Sequence, residues 1–167
     1  VNIAGYSGAV GSGIESCLDY LPDVKTEGGS VGIPPLLVTK WNKETSGYGN
    51  WIVPGINRST SQSKRPKEYL AEWLAGWVRE FGIDGFRVDT VKHVETDVLL
   101  DLSNAAQQAL LDWRGSSRSN GDPAKNWTED FWMTGEHWNF PGETGGRDYF
   151  SVGFDNMIDF GFKNSVP

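Results

Sequence analysis

Ile83-Asp84-Gly85-Phe86-Arg87-Val88-Asp89 is the stretch on which the fold turns. Side chains alternate across an extended strand, so Gly85, Arg87 and Asp89 share one face while Phe86 and Val88 share the other. The apolar pair predicts a face packed on helices. The opposite face carries an Arg and an Asp two residues apart, where each can neutralise the other; such a pair is a poor choice for filling a core. In parallel α/β proteins the C-terminal ends of strands are where catalytic groups sit. Spacing alone fits a second reading equally well, in which Asp89 caps a helix and Arg87 clamps it.

The flanking segments read as helices. Pro66 suits a first helical turn because its missing N–H has no partner to lose there. Tyr69, Leu70, Trp73, Leu74, Trp77, Val78 and Phe81 then follow at three- and four-residue spacing, and Gly82 closes the segment. A second helix fits Asp97 to Trp113, with Thr96 as its N-cap. Further strands are predicted at Phe131–Gly135 and at Asn156–Phe162. Helix and strand in alternation predict parallel strands joined by crossover helices. Residues 1 to about 65 are rich in glycine and loops, with one short apolar run from Ile33 to Val38. That region reads as an irregular subdomain whose Trp41, Tyr48 and Trp51 need something to pack on.

Composition narrows the function classes. The net charge of −7 argues against a nucleic-acid partner, since phosphate binding needs a basic face. No apolar stretch is long enough to span a membrane. Cys17 is the only cysteine, which excludes an internal disulfide framework and a Cys-ligated zinc site. Eight Trp are unusual for 167 residues; surplus indole often meets flat ligands such as sugar rings, while core filling is the first reading for any single one. The opening Val1-Asn2-Ile3 predicts a chain that begins partway through a longer product.

The second strand repeats the pattern of the first. Phe131-Trp132-Met133-Thr134-Gly135 is apolar or small and ends in Glu136, flanked by His137 and Trp138. Two carboxylates at the tips of successive strands, about 5–5.5 Å apart, make a retaining glycosidase: one attacks the anomeric carbon while the other protonates the leaving oxygen.

Three motifs in order carry a resemblance. Gly85-Phe86-Arg87-Val88-Asp89-Thr90-Val91-Lys92-His93-Val94 resembles the signature of the fourth barrel strand in the α-amylase family of glycoside hydrolases. Gly135-Glu136-His137-Trp138 is similar to that of the fifth. Leu21-Pro22-Asp23-Val24 resembles the short motif of the domain inserted after the third. Trp77 to Glu95 looks most like the periplasmic branch of bacteria. The resemblance implies an α/β fold, part of a (β/α)8 TIM barrel covering its fourth to sixth strands in residues 66–167. An inserted loop-rich subdomain then occupies residues 1–65.

The resemblance also implies roles. Asp89 is then the nucleophile, Arg87 holds it ionised and oriented, and Glu136 is the general acid/base. Lys92, His93 and Trp138 bind substrate. Asp23 and the backbone carbonyl of His93 ligate a structural calcium, a hard cation that takes oxygen donors. The implied substrate is an α-glucan, hydrolysed within its α-1,4 chain, in the periplasm or outside the cell. Related transglycosylases and α-1,6-acting enzymes share both carboxylates, and a non-catalytic glucan- or protein-binding module is the alternative of another class. The family's third-strand motif, and the third carboxylate of its seventh strand, have no counterpart in these 167 residues. The rest of the barrel is therefore expected from the same longer chain.

Overall fold

The computed structural model describes residues 24–32, 63–138, 140 and 148–165. Strand β1 (Val31–Gly32) pairs antiparallel with β2 (Ser63–Lys64). Helix α1 (Pro66–Phe81) leads into β3 (Gly85–Val88), and a 3-10 turn at Val91–His93 leads into helix α2 (Thr96–Gly115). Two more 3-10 turns precede β4 (Trp132–Gly135), and another precedes β5 (Asn156–Met157) and the short helix α3 (Phe160–Ser165). β3, β4 and β5 form a parallel sheet in that order, with Arg87 opposite Thr134 and Thr134 opposite Asn156. The fold is α/β, as the alternation predicts. The apolar run Ile33–Val38, the aromatic residues Trp41, Tyr48 and Trp51, and most of the Leu21–Val24 motif lie outside the described residues.

α1 starts where Pro66 predicts. The Glu68 carboxylate accepts from the Arg65 backbone N–H at 2.7 Å, which satisfies one of the unpaired first-turn donors. That bond is the main reason its acid is held below the ordinary carboxylate range. α1 and α2 pack on each other, and the buried line on α1 is Ala71, Ala75 and Val78, facing Leu99, Ala106, Ala109 and Leu110 on α2 and nearby core. The predicted aromatic stripe is only partly inward: Trp73 and Phe81 are exposed, because small residues let the two helices approach closely.

Two boundaries differ from expectation. Glu95, not Thr96, is the capping residue of α2; its extended backbone presents its carbonyl to the N–H groups of Val98 and Leu99. The third strand is two residues long rather than seven. Asp159 stops it, since its carboxylate accepts from the Phe162 N–H at 3.1 Å and turns Phe160–Ser165 into a helix.

Lys67 ties the helices together at their N-termini. Its side chain is 6% exposed, and its ammonium lies 2.7 Å from both Asp97 and Asp101. Bonds to Asp101 and Asp97 hold the Lys67 ammonium above its usual range, and the bond from Lys67 holds Asp97 below its own. The depressed Asp97 contributes stability above the unfolded carboxylate value, lost as pH falls through the folded one. The raised Lys67 contributes below the unfolded lysine value, lost as pH rises through the folded one. The clamp is thus intact from about pH 4 to pH 10. Lys67→Met is expected to destabilise the protein by about 1–2 kcal/mol at neutral pH, less than for a fully buried pair because the orphaned aspartates reach water. Denaturant melts should show the difference between parent and variant shrinking as pH falls below about 4.

Candidate active site

Alternation places two kinds of side chain on the two faces of the sheet. Phe86, Val88, Met133 and Met157 face the helices and join the core. Arg87, Thr134 and Asn156 occupy one level of the other face, where the Thr134 hydroxyl donates to the Asn156 side-chain oxygen. Asp89 and Glu136 continue that face past the ends of their strands. Among the described residues that face is polar apart from the half-exposed Trp132.

Arg87 organises the two acids. Its Nη2 lies 3.4 Å from an Asp89 oxygen and 3.3 Å from Glu136 Oε2, so one guanidinium reaches both carboxylates. Asp89 is 65% exposed and Glu136 only 21%. The backbone at Glu136 is held on both sides: its N–H donates to the Val88 carbonyl at 2.8 Å, and its carbonyl accepts from Val91 at 2.9 Å. Thr90 makes the second bond possible by adopting the left-handed region (φ 48°), which returns the chain toward Glu136. Its own N–H points at Glu136 Oε2 from 3.4 Å. Behind the acid, Gly135 permits close packing. A Cβ there would stand 2.6 Å from the Met157 sulfur and 3.0 Å from the Phe154 ring.

The structure brings Asp89, Arg87 and Glu136 together. Lys92 and His93 are half-buried in the 3-10 turn that follows Asp89. Trp138 is 54% exposed and rests against Phe160, with ring centroids 4.8 Å apart. Asp23 lies outside the described residues, and no cluster of three or more His, Cys, Asp or Glu suited to a metal occurs among the described ones.

Sequence reasoning did not distinguish the role of His137 from that of its neighbours. Parity turns it away from Glu136 into the core, where it is buried against Tyr149 and its Nδ1 lies 2.9 Å from the Trp138 carbonyl. It shapes the turn that carries Trp138. Alternation from Glu136 was the available signal. Thr90 gave none, since Thr is a rare choice for a left-handed position.

Comparison with known proteins gives consistent relatives. The chain is 36% identical to the periplasmic α-amylase of Escherichia coli K12 over 150 residues, covering 89% of this chain and 19% of that protein. It is 27% identical to an α-amylase of Streptomyces lividans over 132 residues, covering 75% of this chain and 12% of that protein. A crystal structure of an Anoxybacillus α-amylase superposes with a TM-score of 0.56 at 20% identity, covering 98% of this chain and 26% of that one; it shares the fold. No protein-family model matches. The chain spans about a fifth of the E. coli relative's length, and its resemblance to the α-amylase family extends over most of its own residues.

Proposed function

We propose that this relative of the α-amylases carries the nucleophile and the acid/base of a retaining α-1,4-glucan hydrolase that cleaves within the chain. The observation that carries the reading is the single guanidinium shared by Asp89 and Glu136 at the C-terminal ends of adjacent parallel strands. In this reading an Asp89 oxygen attacks the anomeric carbon as the glycosidic C–O bond breaks, and Glu136 gives its proton to the departing oxygen. A glucosyl ester on Asp89 results. Glu136, now a carboxylate, takes a proton from water, whose oxygen displaces Asp89 and restores both groups. Arg87, 3.4 Å from Asp89, holds that carboxylate in its aim. Both acids lie near enough to one cation to suit the short spacing that retention requires, about 5–5.5 Å.

Lys92 and His93 bind the sugar on the leaving-group side, and Trp138 offers an exposed indole on which a glucose ring stacks. A structural calcium held by Asp23 and the His93 carbonyl belongs to the same proposal. Both donors are oxygens of the kind calcium accepts, and none of the chemical steps passes through it. Residues 66–167 are the central strands of a (β/α)8 barrel, residues 1–65 its inserted subdomain, and the remainder comes from the same longer chain. Among the described residues no helix is long and apolar enough to cross a membrane. The likeness to a protein named as periplasmic favours a periplasmic or secreted enzyme.

The test is the anomeric form of the first product. Full-length protein acting on a maltooligosaccharide is expected to release α-anomeric reducing ends, read by proton NMR before mutarotation. An initial β-anomer would mean inversion and overturn the roles given to Asp89 and Glu136.

A further inference from the structure

The segment between the two catalytic strands is held at both ends, and only one of its anchors belongs to the catalytic pair. At the near end Val91 donates to the Glu136 carbonyl at 2.9 Å. At the far end the Glu95 carboxylate accepts from the Thr26 hydroxyl at 2.6 Å. Thr26 is buried, and its partner lies 69 residues away in sequence. The Thr26 carbonyl also accepts from the Lys67 N–H at 3.4 Å, and Lys67 itself spans to Asp97 and Asp101. Thr26 thus fastens the turn at residues 24–28 to the N-terminus of α2 through its hydroxyl and to that of α1 through its carbonyl.

Between these anchors stand Thr90 to Val94, closed on themselves by His93 N–H to the Thr90 carbonyl and Val94 N–H to the Val91 carbonyl. A five-residue segment with one end fixed on Glu136 has its other end set by where Glu95 sits. A hydroxyl donating to a carboxylate makes a charge-assisted bond, stronger than a neutral one and directional. We propose that Thr26 and Glu95 are positioning residues that set Lys92 and His93 against the sugar on the leaving-group side, so that the 24–28 turn tunes affinity for the glucan. The inference rests on the substrate-binding role given above to Lys92 and His93.

Thr26→Val keeps the shape and removes the donor; Thr26→Ser keeps the donor. In full-length protein, Thr26→Val is expected to raise KM for a maltooligosaccharide by about tenfold, the scale of one hydrogen bond to a charged group, with kcat little changed. Thr26→Ser restores the parent KM. Amide exchange at Val91, His93 and Val94 is faster in the Val variant and at the parent rate in the Ser variant. Glu95→Gln, which retains a neutral acceptor, gives a smaller rise in KM and serves if the Val variant does not fold. A lower melting temperature with parental KM and exchange would reduce the contact to a structural one and overturn the proposal. So would a fall in kcat at constant KM. If the parent itself hydrolyses no glucan, the functional reading fails, and the exchange rates alone still decide whether Thr26 holds this segment.

Discussion

Asp89→Asn in the full-length protein is expected to lower hydrolysis of α-1,4-glucan by on the order of 10⁴-fold or more, the cost of removing a nucleophile from a site whose other groups remain. The substitution keeps the side chain's size and removes its charge. Asp89 is largely exposed, and Arg87 keeps Glu136 as a partner at 3.3 Å, so melting behaviour should change little. Glu136→Gln is expected to cost about 10²–10⁴-fold with a natural leaving group, the usual contribution of general acid–base catalysis. An activated substrate separates the two roles. A glucosyl fluoride needs no proton to depart, so the Glu136→Gln enzyme should still form the covalent intermediate, and mass spectrometry should find it on the peptide containing Asp89. Asp89→Asn should form none. Equal rates for Glu136→Gln and parent on starch would remove Glu136 from the mechanism; glucan binding in that variant should survive.

What was legible beforehand follows from the range of the forces involved. α1 was readable because its signals are local: Pro66 at the first turn, three- and four-residue spacing, and Gly82 at the end. Alternation sufficed to put Arg87 and Asp89 on one face of β3, while the register of β4 on β3 was needed to bring Glu136 to that face. β5 was overdrawn because Ile158, Phe160 and Phe162 alternate like a strand, while the Asp159 carboxylate turns that stretch into a helix. The aromatic stripe on α1 was read from its three- and four-residue spacing, yet close packing of two helices favours alanines at the contact. Contacts between distant segments left no trace at all. Nothing near Thr26 announces Glu95, and nothing near Lys67 announces Asp97 and Asp101, because these pairings exist only once α1 lies on α2. The motifs that carry the family resemblance reach the acids and the turn after Asp89. They reach neither Thr26 nor the Lys67 clamp.

The largest expected loss of stability lies at Gly82, the residue that ends α1. It sits at φ 68° and ψ 32°, and its N–H donates to the Val78 carbonyl at 2.8 Å. A non-glycine residue held in that left-handed conformation costs about 1 kcal/mol. Space is the larger problem. A Cβ at position 82 would overlap the indole of Trp113, with ring Cδ2 at 2.7 Å, and Trp113 is itself buried in the core at the end of α2. The indole is wedged among core side chains and cannot swing aside without opening a void, so overpacking adds about 1–3 kcal/mol. Gly82→Ala is therefore expected to destabilise by about 2–4 kcal/mol in denaturant melts. The consequence reaches the site. Only three residues separate Phe81 from β3, so a displaced helix end shifts Gly85–Val88 against β4 and draws Arg87 away from Glu136. Gly82→Ala combined with Trp113→Phe distinguishes strain from steric overlap. If the smaller ring recovers much of the loss beyond its own cavity cost, the indole is the obstacle; if it recovers nothing, backbone strain at φ 68° carries the whole effect.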